Sequence, residues 1–130
     1  MKSLALLAIA LALCVPSVSK ADDMSGTKLL KLCEGTDAQK ISCEAYIQGV
    51  SNTFDYVGES VPSSKIAKKC VPADTPSSEL RKIFVKFGHL GFHNENAAPG
   101  LILVAVSAVW HCFPDGKFNS SFDLLGKSLR

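Results

Sequence analysis

Residues 43–62 read Cys43-Glu44-Ala45-Tyr46-Ile47-Gln48-Gly49-Val50-Ser51-Asn52-Thr53-Phe54-Asp55-Tyr56-Val57-Gly58-Glu59-Ser60-Val61-Pro62, and this stretch decides the fold class. Cys43, Ile47, Val50, Phe54, Val57 and Val61 step along it by four and three, the spacing that puts them on one face of a helix. Ala45, Gly49 and Thr53 form a second stripe of small side chains, where another helix could come close. Pro62, which has no amide hydrogen, ends the helix.

Working outward, residues 27–33 carry Leu29, Leu30, Leu32 and Cys33 at helical spacing, with Gly35 placed to stop them. A polar stretch, residues 36–40, connects this short helix to the long one. On the other side, residues 61–73 form a loop that contains Cys70. Thr75-Pro76 then marks a new helix start, a hydroxyl N-cap followed by proline at the first helical position. Leu80, Ile83, Phe84 and Phe87 give that third helix its buried face, and Gly88 and Gly91 bracket its end. Residues 89–96 are a polar loop in which Asn94 or Asn96 could cap a fourth helix.

The fourth segment, residues 97–112, is apolar on every side, and periodicity alone does not choose between helix and strand. Its length does, because 16 residues exceed a typical strand. It is expected to be a central buried helix with Pro99 in its first turn. Pro114-Asp115-Gly116 is a turn, and the tail 117–130 offers Phe118, Phe122, Leu124 and Leu125 to an extra short helix. The expected fold is therefore all-α, a small bundle of four to five helices over residues 22–116, with the tail behind it.

Residues 1–21 stand apart. Met1-Lys2 is a basic start, residues 4–15 are apolar, and Ser19-Lys20-Ala21 supplies small residues at −3 and −1 of a cut. This is the layout of a secretory signal peptide cleaved before Asp22. Its apolar run is too short to span a bilayer, which takes roughly 20 residues, and so is the run from 97 to 110. Leu11-Ala12-Leu13-Cys14 resembles a lipoprotein signal, but Leu13 occupies the position where such a signal needs a small residue. A periplasmic location is expected.

The 130-residue chain carries 14 Lys+Arg and 12 Asp+Glu. Losing Lys2 and Lys20 with the leader leaves 12 of each, so there is no basic excess with which to bind nucleic acid. Lys65, Lys68, Lys69, Arg81, Lys82 and Lys86 do cluster in sequence. A solvated helix face with its loop explains them more simply than an anion site does.

Of the 5 cysteines, Cys14 leaves with the leader, and Cys33, Cys43, Cys70 and Cys112 remain. An even number in a small exported domain reads as two disulfides. No C-x-x-C pair exists, which argues against zinc. Antiparallel neighbours would bring Cys33 to Cys43 across the first hairpin and Cys70 to Cys112 at one end of the second. Four cysteines allow three pairings, and this one is the expectation. Catalysis finds little support. Gly91 separates His89 from His93, no carboxylate completes H-E-x-x-H, and His111 beside Cys112 points away from it on a helix. No metal or cofactor is expected.

Several blocks together resemble the Tai/Rap immunity proteins: Leu29-Leu30-Lys31-Leu32-Cys33-Glu34-Gly35, then Cys43-Glu44-Ala45-Tyr46-Ile47-Gln48-Gly49-Val50, then Cys70-Val71-Pro72, and finally residues 104–112 ending in cysteine. The likeness covers roughly residues 26–113. Loop positions depart from the family pattern: Asp74 and Glu79 stand near the third helix start, and Trp110-His111-Cys112 replaces an aromatic-Pro-Cys ending.

The resemblance implies a periplasmic, often dimeric helical protein that binds and occludes the cleft of a type VI secretion peptidoglycan amidase effector. The residues expected to enter that cleft are His89, Phe92, His93, Asn94, Glu95 and Asn96, with Phe92 as apolar anchor. The same residues would serve equally as a plain connection between helices. The alternative function is a periplasmic helical binding or chaperone module with no enzyme target.

Overall fold

In the computed structural model, which describes residues 23–60, 70–91, 94–112 and 120–130, five helices form: α1 (Gly26–Cys33), α2 (Asp37–Ser60), α3 (Ser77–His89), α4 (Ala98–Trp110) and α5 (Ser120–Leu129). The leader, Val61 and Pro62, Lys65, Lys68 and Lys69, Phe92 and His93, the Pro114-Asp115-Gly116 turn and Phe118 lie outside the described residues. The all-α reading holds, and so do both expected bridges, Cys33–Cys43 and Cys70–Cys112, each with Cα atoms 5.1 Å apart.

Helix boundaries differ from expectation where capping chemistry intervenes. The stretch read as a connector, residues 36–40, instead opens α2. The Thr36 amide donates to Gln39 Oε1 at 2.8 Å, and the Gln39 amide donates to Thr36 Oγ1 at 3.4 Å. This reciprocal capping box satisfies two donors that would otherwise be orphaned. At α3, Pro76 rather than Thr75 is the N-cap and makes no side-chain cap bond. At α4 neither asparagine caps. Ala97 holds that position, and the Ala98 amide is satisfied by the Met24 carbonyl at 2.8 Å.

The core forms around α4, which packs against all four other helices. Leu101, Ile102, Ala105, Val106, Ser107, Ala108 and Val109 are buried on it, accounting for a helix apolar on every side. Leu29 from α1, Ile47 from α2, Leu80, Phe84 and Phe87 from α3 and Leu129 from α5 complete the interior. On α2 the most buried positions are Cys43, Ile47, Ser51 and Gly58, while Val50, Phe54 and Val57 are half-buried. The stripe Ala45, Gly49 and Thr53 faces outward, so the close helix neighbour it could accommodate is not one of the described helices.

α5 lies along α4 and touches α3. The contact is close: a Cβ on Gly126 would stand 2.1 Å from the Ala108 carbonyl oxygen. Lys86 on α3 donates to the carbonyls of Leu129 and Arg130 at 3.2 and 3.0 Å, covering acceptors that the end of α5 leaves without helical partners.

Candidate functional site

The segment joining α3 to α4 begins with His89, the last residue of α3. Its Nε2 lies 2.6 Å from Glu34 Oε1, where Glu34 is the C-cap of α1. Both side chains are about half exposed. Gly91, at φ 74°, then takes the left-handed turn that glycine adopts without steric cost. Phe92 and His93, expected as anchor and polar contact, lie outside the described residues.

Residues 94–97 are fixed from both sides. The Asn94 side chain donates from Nδ2 to the Gly88 carbonyl at 2.8 Å, back towards α3. Its carbonyl accepts from the Thr27 amide at 2.7 Å and from the Thr27 hydroxyl at 3.1 Å. The Asn96 carbonyl accepts from the Gly26 amide at 2.9 Å, and Ser25 and Ala97 form an isolated antiparallel bridge. Glu95, Asn96 and Ala97 are exposed, whereas Asn94 is half-buried. The structure thus brings His89, Asn94, Glu95 and Asn96 onto one short connection, with the Asn94 amide group turned inward to brace it.

Sequence reasoning missed the residues that do the fixing, Met24, Gly26 and Thr27. No local pattern announces them, because their partners lie some seventy positions away. Tyr46, on α2, is half-buried. Burial, with the Asp23 carboxylate nearby, holds its phenol above the ordinary value of 10.0, so it stays protonated.

Elsewhere the chemically capable groups are engaged in holding the fold. Arg81 donates from Nε to Glu44 Oε1 at 2.9 Å and from a terminal nitrogen to the Cys33 carbonyl at 3.1 Å. Ser77 Oγ donates to the other Glu44 oxygen at 3.4 Å. With Lys86 bound to the end of α5, the described part of the basic cluster is largely structural. Cys112 is oxidised, and His111 Nε2 instead faces Asp123 Oδ1 at 3.9 Å, so the two form no dyad. Among the described residues no three metal-ligating side chains converge, and no helix is long and apolar enough to cross a membrane.

What the described residues can do chemically is present the exposed polar side chains of His89, Glu95 and Asn96 between two helices of a cross-linked body. Residues 25–112, which take in α1 to α4, both bridges and the whole α3–α4 connection, match the family model described as Rap1a immunity proteins. No curated protein and no solved structure matches the chain. The match covers more than half of the sequence, with both cysteine pairs inside it. The chain belongs to the Rap1a immunity protein family.

Proposed function

We propose that this protein is a periplasmic, non-enzymatic inhibitor that binds a type VI secretion peptidoglycan amidase and occludes its active-site cleft with the α3–α4 connection. The observation that carries the proposal is the membership in an immunity family together with the exposure of Glu95, Asn96 and Ala97 between α3 and α4. Inhibition of this kind is steric: a shaped, rigid element fills the cleft and satisfies its donors and acceptors while excluding substrate. An interface of about 1,600 Å² with a few buried anchors is large enough to reach nanomolar or tighter binding. Phe92 and His93, outside the described residues, belong to the same proposed contact, as do His89 and the backbone around Asn94.

The two disulfides fit an oxidising compartment, as does the leader-like start of the sequence. Dimerisation, implied by the same resemblance, is read by light scattering on the purified protein. The decisive experiment mixes the mature protein with a purified type VI peptidoglycan amidase from its own genome and follows peptidoglycan hydrolysis. Stoichiometric inhibition that disappears in Phe92→Asp combined with Asn94→Lys is the expected result. Undiminished inhibition by that double variant rejects the assigned segment, and an absence of inhibition by the wild-type protein rejects the function.

A further inference from the structure

We propose that Gly26 and Thr27, the first residues of α1, are positioning residues of the recognition surface, holding residues 94–97 in the form a partner binds. The inference rests on the reading of the α3–α4 connection as the partner-binding segment and adds to it a part of the chain remote in sequence.

The first amides of any α-helix lack partners within the helix. In α1, Ser25 is the N-cap, and its hydroxyl accepts from the Lys28 amide at 3.3 Å. The two amides before Lys28 are spent across the molecule. Gly26 donates to the Asn96 carbonyl at 2.9 Å and Thr27 to the Asn94 carbonyl at 2.7 Å. The Thr27 hydroxyl adds a second donor to the Asn94 carbonyl at 3.1 Å. In return the Met24 carbonyl accepts from the Ala98 amide at 2.8 Å. The start of one helix therefore grips the entry to another through two carbonyls and one amide in antiparallel register.

Side-chain absence at Gly26 makes this grip feasible. A Cβ there would stand 2.8 Å from the Asn94 carbonyl oxygen and 2.3 Å from Leu101 Cδ1. The leucine could turn aside, but the backbone oxygen could move only by displacing the segment. Holding a polar connection in one conformation before contact removes the ordering cost that a loose loop meets on binding. Glu95 and Asn96, exposed beside the pinned carbonyls, are then offered in a fixed geometry.

The test compares wild type, Gly26→Ala, Thr27→Val and Thr27→Ser. Affinity is measured against the same purified amidase, and amide hydrogen exchange is measured at Ala98 in the free proteins. Gly26→Ala and Thr27→Val are expected to weaken binding about tenfold, the scale of one lost hydrogen bond, and to speed Ala98 exchange. Thr27→Ser, which keeps the hydroxyl, is expected to bind as wild type does. Wild-type affinity in both Gly26→Ala and Thr27→Val overturns the positioning role and leaves the amidase reading intact. A loss in Thr27→Ser with wild-type affinity in Thr27→Val overturns it too, by assigning the effect to the methyl group rather than to the hydroxyl. No binding by the wild type overturns the functional reading and this inference with it.

Discussion

Glu44 on α2 and Arg81 on α3 form an ion pair of 2.9 Å in which each side chain is only about one-fifth exposed, 21% and 20% respectively. The guanidinium also reaches the Cys33 carbonyl at 3.1 Å, so one side chain ties α3 both to α2 and to the end of α1 beside the first disulfide. A planar fork serves two acceptors at once in a way that the point charge of lysine cannot. Arg81→Ala is expected to cost about 2 kcal/mol, because it strands a largely covered carboxylate and a carbonyl. Arg81→Lys should recover only part of that. Urea denaturation of the single variants, Glu44→Ala and the double variant gives the coupling. A value indistinguishable from zero would show that the pair is incidental to stability.

The two bridges differ in the length of chain they close, with sequence separations of 10 and 42. On the chain-entropy account they contribute roughly 3 and 4 kcal/mol. Replacing Cys70 and Cys112 together by alanine should therefore destabilise more than replacing Cys33 and Cys43. Mass mapping of a non-reduced digest should return only these two pairs. A Cys33–Cys70 peptide would contradict the hairpin arrangement.

Thr36 and Gln39 cap α2 reciprocally, and the box stands just ahead of Cys43. Thr36→Ala is expected to lower stability by about 1 kcal/mol, with helix loss confined to the first turn of α2 in amide exchange. Unchanged exchange in that turn would mean the first disulfide alone holds it.

His111 ends α4 in the left-handed region at φ 51°, a conformation that costs an ordinary residue energy and glycine almost none. His111→Gly is expected to raise the melting temperature, with a gain of up to about 1 kcal/mol. A lowered melting temperature would show that the half-exposed contact with Asp123 outweighs the backbone strain.

Asp123 on α5 accepts from Lys127 at 3.0 Å. That hydrogen bond, with the lysine charge and smaller contributions from His111 and Arg130, holds its carboxyl below the usual carboxylate value. Its folded pKa is thus below its unfolded one. The stabilisation is fully present above the unfolded value, near pH 4, and is lost as pH falls through the folded value. An NMR titration of Asp123 should show the depressed value in wild type and a return towards normal in Lys127→Ala. Identical titration curves would remove the lysine as the cause.

Much of this architecture is written in local pattern. The four-and-three spacing of Cys43, Ile47 and Val50 announces α2, the apolar run 97–110 announces a central helix, and an even set of four cysteines suggests two bridges. Even the true start of α2 is legible, since Thr36-Asp37-Ala38-Gln39 has the capping-box spacing. The cap of α4 is not, because the acceptor for the Ala98 amide is a carbonyl at Met24.

By itself, the sequence determined which faces of which helices are apolar and which helix ends could share a sulfur bridge, because periodicity and capping act within a few residues. Only the tertiary structure decided that Arg81 meets Glu44, that the Ala45, Gly49 and Thr53 stripe looks outward, and that Gly26 and Thr27 grip residues 94–96. Those contacts depend on how far each helix is rotated and slid against its neighbours. That choice is made by the summed packing of buried side chains around α4, and no short stretch of residues encodes it.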